Sequence, residues 1–483
     1  PMISSERTSQ SGKQQATRDQ AEDAPSNNAF ALPSLSLPKG GGAIRGMGEK
    51  FAANPVTGTG SMTVPIATSP GRSGFGPQLA LSYDSGAGNG PFGLGWNLSL
   101  PAITRKTDKG LPQYRDAEES DVYILSGAED LVPELEPGGK RVEDNETFPG
   151  FVVHRYRPRI EGLFARIERW THVATSAIHW RSISKDNITT LYGTSNGSRI
   201  FDPTDPNYDP NDPQRPPTRI FSWLICQSYD DKGNAIIYDY RVENNDKLDL
   251  SQANERNRVR TANRYLKRIR YGNRTPNRDN QGQAIDPATL PVNDWMFEAV
   301  FDYDDHDLAT PTPRDDEAQD AAGVLQYPWP SRPDPFSAYR AGFEVRTYRL
   351  CQRVLMFHHF PGEEDVGADC LVRSTDFTYG YEVDAKSAAN PIYSKLLSVT
   401  QTGYKRNNDS YLAKSLPPLE FTYSEALLQR EVQTVDAASL ENLPMGLDGA
   451  AYQWTDLHGE GIPGILTEQA GAWFYKRNLS PIN

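Results

Sequence analysis

The sequence has few cysteines and no long apolar run, and both absences narrow the class of protein. Its 483 residues include three cysteines, Cys226, Cys351 and Cys370, which are too few and too scattered for a disulfide framework and form no Cys-x-x-Cys pair. Three free thiols fit folding in a reducing compartment. Because no stretch of about 18 apolar residues occurs, the sequence predicts no membrane-spanning helix.

Basic residues are fewer than acidic residues, and the N-terminal residues lack an apolar segment. Lys and Arg number 50 against 63 Asp and Glu, a formal net charge of −13, which argues against a general nucleic-acid binder or a protein for anionic membranes. The first 31 residues are polar and lack the apolar core of a Sec-type signal. We therefore interpret residues 1–31 as a disordered polar tail.

Turn-forming residues and aromatics are abundant. The 39 Gly, 37 Pro, 23 Tyr and 18 Phe are typical of many short strands joined by tight turns. Apolar and polar residues alternate in 62–66 and 79–83, the period-two pattern of half-buried strands. Pro65 lacks the N–H that a ladder needs, which favours an edge position for the first of these strands. The size of Trp96 predicts a core residue.

The same alternation continues along the chain and predicts an all-β fold of antiparallel strands. Further strands are expected at 121–125, 130–132, 151–156, 164–171, 178–183, 221–229, 235–240, 265–271, 295–303, 343–350, 371–379, 395–402 and 419–423. Strands 221–229 and 235–240 flank a glycine-containing turn, which predicts a hairpin. The proline-rich segments 203–217 and 311–335 are expected to be exposed loops. Only 425–429 and 437–443 have the pattern of a helical turn or two.

A series of landmarks in order along the chain carries a resemblance to a known family. They are the Gly-rich run at 36–114, SDVYILSGAEDLVP at 120–133, YGTSNGSRIFDP at 192–203, YDDKGNAIIYDY at 229–240, YLKRIRYGNR at 265–274, RTYRLCQRVLMFHHF at 346–360 and LPPLEFTYS at 416–424. The sequence resembles the SpvB N-terminal domain family, which opens the B component of insecticidal Tc toxin complexes and a related virulence-plasmid toxin. The resemblance implies that residues 32–445 form antiparallel sheets of a curved, shell-forming domain.

This resemblance also implies a role. In the family, the B component and a C partner rich in Rhs repeats form a hollow shell around a toxic cargo, and a β-propeller docks onto a pore-forming A component. The resemblance therefore implies a non-catalytic shell component with these two partners, which is secreted. The free thiols fit folding in the bacterial cytoplasm before release, and the net charge predicts no nucleic-acid partner. The alternative is the delivery domain of an ADP-ribosyltransferase toxin whose catalytic domain is missing from this chain.

The last residues change character and contain the one motif with metal chemistry. Residues 446–483 read as three strands joined by turns, which we interpret as the first, incomplete blade-like segment of a β-propeller in a longer parent protein. Asp456, His458 and Glu460 stand where related blades place alternate carboxylates that bind Ca²⁺. Since His458 is a poor calcium ligand and Glu460 is one methylene longer than aspartate, a tight turn ordered by glycine is the competing interpretation.

Other motifs give little support for catalysis or for a cofactor. The Gly-rich stretches 40–48 and 86–90 precede no helical pattern, so we expect turns and not phosphate loops. Glu134-Leu-Glu136 lacks the upstream Ser-Thr-Ser of an ADP-ribosyltransferase, and no HExxH or GxSxG occurs. The adjacent His358 and His359 would face opposite sides if they lay on a strand, and they could then not easily bind one ion.

A carbohydrate- or receptor-binding module is a further alternative. It requires exposed aromatic side chains, for which the loops around Trp295 and Trp329 are the candidates. Exposed strand edges predict, in turn, that the isolated chain self-associates or needs its partner.

Overall fold

The computed structural model of the protein describes most of the chain after residue 47. The described residues are 48–54, 59–126, 129–160, 162, 164–364, 366–380, 393–423, 434, 436–441, 443, 449, 451–459 and 462–479. They fall into two compact units, the first ending at Phe421 and the second beginning at Thr422. Nearly all regular structure is antiparallel strand, so the predicted all-β fold is confirmed.

The first unit opens with a four-stranded sheet. Its strands are β1 (Lys50–Asn54), β2 (Thr59–Ile66), β3 (Leu79–Asp84) and β6 (Trp96–Leu98), and the short pair β4 (Asn89–Gly90) and β5 (Gly93–Leu94) precedes β6. An edge position for the whole of β2 is wrong, because it lies between β1 and β3. Pro65 is nevertheless accommodated, since β1 pairs only as far as Thr63. Trp96 is a core residue as predicted, 1% exposed.

Eight strands then pair in a closed ring. In order around the ring they are β7 (Ala102–Arg105), β8 (Tyr123–Leu125), β9 (Glu129–Pro133), β11 (Phe151–Pro158), β12 (Arg166–His172), β13 (Ile178–Ile183), β14 (Thr189–Tyr192) and β16 (Ile220–Tyr229), which pairs with β7 again. Two short strands, β10 (Glu143–Asp144) and β15 (Arg199–Phe201), pair with β11 and β16 respectively. Closure leaves no free edge within the ring.

Aromatic side chains fill the inside of the ring. Trp180 lies with its ring centroid 4.9 Å from Tyr123 and 5.0 Å from Tyr156, and Tyr123 lies 5.8 Å from Trp223. The rings meet edge to face, the arrangement that aromatic quadrupoles prefer. Gly193 is required beside them, because its φ is +63° and an added Cβ would lie 2.4 Å from Trp223 Cδ1.

One buried arginine neutralises carboxylates at the ring wall. Arg105 is 1% exposed, and its Nη1 lies 2.7 Å from carboxylate oxygens of both Asp116 and Asp121. Its Nε donates to the Ile220 carbonyl at 2.6 Å, which links β7 to β16. Burial of this charge is stabilised because the guanidinium makes both ion pairs and hydrogen bonds.

The predicted proline-rich loop 203–217 contains no strand or helix and is held by a repeated turn. Each Asp before a proline accepts a hydrogen bond from the amide two residues later: Asp202 at 2.9 Å, Asp205 at 3.0 Å, Asp209 at 3.0 Å and Asp212 at 2.9 Å. Proline at the next position presets φ for such a turn. The loop prediction is therefore confirmed.

From β16 the sheet leaves the ring and continues as an open antiparallel ladder. Its strands are β17 (Ala235–Val242), β18 (Arg264–Asn273), β19 (Trp295–Asp302), β22 (Arg353–Phe360), β23 (Gly367–Tyr379), β24 (Leu396–Asn407), β25 (Ser410–Ser415) and β26 (Leu419–Glu420). The hairpin of β16 and β17 is confirmed, with Gln227 opposite Ile237. A separate two-stranded sheet joins β20 (Phe336–Ala338) to β21 (Val345–Thr347).

Two segments differ from the predicted strands. The expected strand at 343–350 shrinks to β21, because Tyr348 donates its N–H to the Tyr265 hydroxyl at 3.0 Å and not to a neighbouring strand. Conversely, β22 is central to the ladder although no strand was predicted there. Its middle residues, 354–357, are apolar and buried on both faces, so the sequence lacks the alternation that marks a half-buried strand.

The second unit contains a three-stranded sheet of β27 (Tyr452–Thr455), β28 (Gly464–Gln469) and β29 (Ala472–Lys476). The predicted helical turn at 437–443 is observed as α1 (Ala437–Leu440), whereas 425–429 lies outside the described residues. Among the described residues, the 3-10 helices are Arg72–Gly74, Asn196–Ser198, Pro287–Thr289, Val292–Asp294 and Asp315–Glu317. Within the described part of the chain, no helix is long and apolar enough to cross a membrane.

Candidate functional site

One face of the open ladder carries charges that alternate in sign from strand to strand. We call it the charged face and define it by Asp239 on β17, Arg268 and Arg270 on β18, Glu298 and Asp302 on β19, Arg353 and His359 on β22, and Asp369 and Asp376 on β23. In the register, Asp302 lies opposite Arg353, and Arg353 lies opposite Asp376. Opposite charges at facing positions stabilise the pairing of two strands. A register shift of one residue would move the charged side chains of a strand to the other face of the sheet and separate these partners.

Direct ion pairs join neighbouring strands of the charged face. They are Asp239–Arg270 at 2.8 Å, Glu298–Arg268 at 3.7 Å, Glu298–His359 at 3.1 Å, Asp369–His359 at 2.9 Å and Asp302–Arg353 at 2.5 Å. Arg268, Glu298, Asp302 and Arg353 are buried, and an unpaired charge at such a position would be strongly destabilising. The pairs therefore stabilise the register of five strands.

A metal-like cluster lies at the end of β19. Ligand atoms of Asp302, Asp305 and His306 lie within 4.8 Å of one another, the one such group among the described residues. The positive charge there comes from the protein, because Lys267 Nζ lies 2.7 Å from Asp305 Oδ1 and Arg353 Nε lies 2.5 Å from Asp302 Oδ2. Burial would raise the pKa of Asp305, but Lys267 and His306 outweigh it and hold the pKa well below its usual range. The residues fit an internal ion network better than a metal site.

A second buried network ties the loop after β17 to the segment after β21. Arg349 is 0% exposed, and its Nε donates to Glu243 Oε1 at 2.8 Å. Tyr265 donates its hydroxyl to Glu243 Oε2 at 2.6 Å, so both carboxylate oxygens accept. The Arg349 guanidinium also lies 4.4 Å from the Trp329 ring centroid, within cation–π distance. The network is fully enclosed and serves packing.

A cavity of about 400 Å³ opens beside the charged face. Three carboxylates line it, and each is paired: Asp239 with Arg270, Asp316 with Arg268, and Glu317 with Arg268 at 3.2 Å. A general base or nucleophile needs a group within reach of a substrate and not held by a permanent counter-ion. The geometry of this cavity does not assemble such a group from the residues that line it.

His359 makes the stability of the charged face depend on pH. Burial alone would lower the pKa of its imidazole, but hydrogen bonds to Asp369 and Glu298 outweigh burial and raise the pKa from 6.5 to about 9. A raised pKa in the folded state stabilises the fold fully below pH 6.5, and this contribution is lost as the pH rises through 9.

We therefore expect His359→Gln to lose stability relative to the parent chain at pH 6 and to lose much less at pH 9.5. The difference between the two pH values is at most about 3 kcal/mol in the free energy of unfolding. Urea denaturation of both chains at the two pH values measures it. A difference between the chains that does not change with pH would contradict the role of His359.

The sequence-predicted calcium ligands are placed only in part. Asp456 Oδ1 accepts a hydrogen bond from the His458 amide at 3.1 Å, and the His458 ring packs 5.6 Å from Tyr475. Glu460 lies outside the described residues. Calcium binding at this turn stays a prediction. A calorimetric titration with Ca²⁺ tests it: binding heat that Asp456→Asn abolishes would support the site, and no heat would leave a glycine-ordered turn.

The remaining predictions on histidines and aromatics are settled by burial and contacts. His358 and His359 face opposite sides as predicted, since His358 Nε2 lies 2.6 Å from Ser69 Oγ while His359 pairs with Glu298. Trp295 and Trp329 are 1% and 0% exposed, so they do not form a glycan-binding surface. The three cysteines are buried and free.

The charged face and the Glu243 network were not predicted from the sequence. The only local signal is the dense acidic run at 302–307, which follows a strand and contains His306. Its partners Lys267 and Arg353 lie 38 and 51 residues away, and no local pattern indicates those contacts.

Together these features define an antiparallel, sheet-forming protein whose buried charges pair with one another across strands. The chain belongs to the SpvB family, described as Salmonella virulence plasmid 65kDa B protein, whose model matches residues 54–360. The predicted family is confirmed.

Curated relatives agree with this assignment. Mono(ADP-ribosyl)transferase SpvB of Salmonella choleraesuis (strain SC-B67) is 35% identical over 391 residues, which cover 78% of this chain and 59% of the relative. The protein of the same name from Salmonella dublin matches to the same extent. The chain thus spans about three fifths of the length of the curated relatives it matches.

Solved structures extend the likeness beyond the family model. The crystal structure of TcdB2-TccC3 matches with a TM-score of 0.69 and 33% identity, over 93% of this chain and 20% of that chain. The N-terminal domain of effector protein SpvB from Salmonella typhimurium strain LT2 matches with a TM-score of 0.55 and 36% identity, over 71% of this chain and 98% of that chain. The chain is therefore related to components of bacterial toxins and toxin complexes.

Proposed function

We propose that this chain is a structural component of a bacterial toxin complex, where it forms part of the β-sheet shell that encloses a toxic polypeptide and helps to deliver it. The observation that carries the proposal is the likeness to TcdB2-TccC3 over 93% of this chain. Because the chain corresponds to 20% of that structure's chain, other segments would build most of the shell.

The chemistry of the described residues supports a non-catalytic role. Carboxylates and cations of the charged face pair with one another, and the carboxylates that line the cavity beside this face are paired as well. Ion pairs between neighbouring strands hold the sheet in one register. A fixed register suits a protein that forms the wall of a container.

The same proposal names two partners and a place of action. A C-type partner with Rhs repeats would complete the shell, and a pore-forming A-type component would receive it. One of the similar structures is TcdB2-TccC3, and another is the Tc holotoxin pore of Photorhabdus luminescens. Folding in the bacterial cytoplasm before release to the outside fits the three buried free thiols.

Co-expression with an Rhs-repeat C-type protein tests the proposal. We expect the two chains to elute together in size-exclusion chromatography, with no turnover by this chain alone. The matched control is the same C-type protein expressed with an unrelated β-sheet protein of similar size. Elution of the two chains as separate peaks would contradict the shell.

The edge of the ladder leads to a prediction for the isolated chain. Strand β25 pairs with β24 along one side, and no strand among the described residues pairs with its other side. Because a free edge offers unpaired N–H and C=O groups to another chain, we expect the isolated protein to self-associate. Its sedimentation coefficient should rise with concentration in analytical ultracentrifugation. A monomer that is independent of concentration would contradict this prediction.

A second candidate function is the delivery domain of an ADP-ribosyltransferase toxin. It is favoured by the match to 98% of the solved SpvB N-terminal domain and by the curated relatives' activity name. The gene sequence beyond the codon for Asn483 discriminates the two. Propeller and Rhs repeats there would support the shell, whereas a transferase domain would support the second candidate.

A further inference from the structure

Two buried arginines without an acidic partner lie beside the turn between β14 and β15. Arg199 is the first residue of β15 and is 5% exposed, and Arg264 is the first residue of β18 and is 8% exposed. Neither forms an ion pair with a carboxylate of the described residues, whereas every other buried arginine of that part of the chain does. Because a buried cation without a counter-ion is destabilising, an anion at this turn would stabilise the fold.

Both guanidinium groups are bonded to the same residue, Asn196. Arg199 Nη1 donates to Asn196 Oδ1 at 3.1 Å, and Arg264 Nε donates to the Asn196 carbonyl at 3.1 Å. Arg199 Nε also donates to the Gly193 carbonyl at 2.7 Å, and Arg264 Nη1 donates to the Thr261 carbonyl at 2.6 Å. These neutral acceptors fix the position of two neighbouring guanidinium groups, but they leave both positive charges unbalanced.

The electrostatics of the two arginines agree with this description. Burial lowers the pKa of Arg199 and of Arg264 to about 10, and only the Cys226 thiol and the Tyr208 hydroxyl act in the opposite direction. No carboxylate of the described residues contributes to either pKa. Both side chains are still protonated at neutral pH, so the turn carries two positive charges.

One nitrogen of each guanidinium group stays available to a ligand. Nη2 of Arg199 and Nη2 of Arg264 donate to no acceptor among the described residues. Neither atom is fully enclosed, since the enclosed polar atoms that lack a hydrogen bond in the described part of the chain belong to other residues. The Phe201 ring centroid lies 5.2 Å from Arg264 Cζ and helps to hold that guanidinium group in place.

We propose that this turn binds a tetrahedral dianion of the phosphate class between Arg199 and Arg264. The charge selects the class of ligand, because two cations without counter-ions are balanced by a dianion and not by a single carboxylate. Oxygens of the phosphate group would accept hydrogen bonds from Nη2 of both arginines, and hydrogen bonds between arginine and phosphate are strong and specific in geometry. The site does not depend on the proposed shell function.

Phosphorus NMR of inorganic phosphate with the full chain tests the site, at constant ionic strength and at about pH 8, where phosphate is mainly a dianion. We expect the phosphate signal to broaden, sulfate to reverse the broadening by competition, and acetate to leave it unchanged. The affinity for phosphate should be about tenfold weaker in Arg199→Gln and in Arg264→Gln. The matched control is Arg340→Gln, which removes the same charge from an exposed arginine and should bind phosphate like the parent chain.

Crystals of the parent chain soaked in selenate locate the site without any substitution, so the test does not depend on the folding of a variant. Selenate is a tetrahedral dianion with an anomalous signal, and we expect its peak within hydrogen-bond distance of Nη2 of both arginines. Glycerol 3-phosphate distinguishes the source of the phosphate group. Binding of inorganic phosphate alone would support a free ion as the ligand, and binding of both probes would support a phosphate monoester.

Four outcomes would overturn the proposal. They are no broadening of the phosphate signal, unchanged affinity in a folded Arg199→Gln or Arg264→Gln chain, competition by acetate as strong as that by sulfate, and a selenate peak that contacts only one of the two arginines or neither.

Discussion

Replacement of Arg349 by methionine is expected to lower the free energy of unfolding by roughly 3–5 kcal/mol. Arg349 and Glu243 are both fully buried, and the guanidinium makes charge-assisted hydrogen bonds to Glu243 Oε1 at 2.8 Å and to the Trp329 carbonyl at 2.7 Å. Methionine fills a similar volume but leaves the Glu243 carboxylate without a counter-ion in a site that water cannot enter. The loss is large because desolvation of a lone charge is not compensated.

Urea denaturation followed by tryptophan fluorescence measures this loss. The matched control is Arg215→Met, which removes an exposed arginine 3.5 Å from Asp209 and should change stability by less than about 1 kcal/mol. Adding Glu243→Gln to Arg349→Met should recover part of the loss, because the neutral amide needs no counter-ion. If Arg349→Met were as stable as Arg215→Met, the buried network would not have the role assigned to it.

Replacement of Trp180 by alanine is expected to cost about 3–5 kcal/mol of unfolding free energy. Trp180 is 0% exposed inside the closed ring and contacts Tyr123 and Tyr156 at centroid distances of 4.9 and 5.0 Å. A ring of paired strands cannot contract around the missing indole without breaking its hydrogen bonds, so most of the cavity would persist. Trp180→Phe should cost less, because it retains an aromatic ring in the same place.

The control for Trp180 is another tryptophan of this chain. Trp473 on β29 is 67% exposed, and Trp473→Ala should change the free energy of unfolding of the first unit by no more than about 0.5 kcal/mol. Circular dichroism and near-ultraviolet spectra would follow the loss of tertiary structure. Equal stability of Trp180→Ala and Trp473→Ala would show that the ring interior is not the core described above.

Much of the strand pattern could be predicted because half-buried strands have a local signature. Strand β13 was predicted with its bounds, Ile178–Ile183, since the buried Ile178 and Trp180 alternate with partly exposed polar residues. Strand β22 was missed because Val354, Leu355, Met356 and Phe357 are all buried, and such a run has no period of two.

Hydrogen bonds to side chains account for the main error in the other direction. Segment 343–350 has the alternation of a strand, but Arg346 bonds to Glu255 on a loop and Tyr348 bonds to Tyr265 on β18. These partners are 83 residues or more away in sequence. Local alternation therefore overstates a strand when long-range partners use its polar groups.

The candidate sites also differ in whether their residues are close together or far apart in the sequence. Asp456 and His458 were found by motif, because a calcium turn places its ligands within a few residues. The Glu243 network joins residues 106 apart, and Arg264 meets Asn196 across 68 residues. Neither pair leaves a local trace, so sequence patterns could not indicate them.

The family, the all-β class and the turn-rich loops were determined by the sequence itself, because alternation, proline and glycine act on the backbone within a few residues. The closed ring was decided only by the tertiary structure, since β7 reaches β16 through contacts such as Thr104 Oγ1 with Ser222 Oγ, 118 residues away. The pairing of charges across the ladder was decided in the same way. Cross-strand contacts depend on how strands are ordered in space, and that order comes from the packing of the whole sheet.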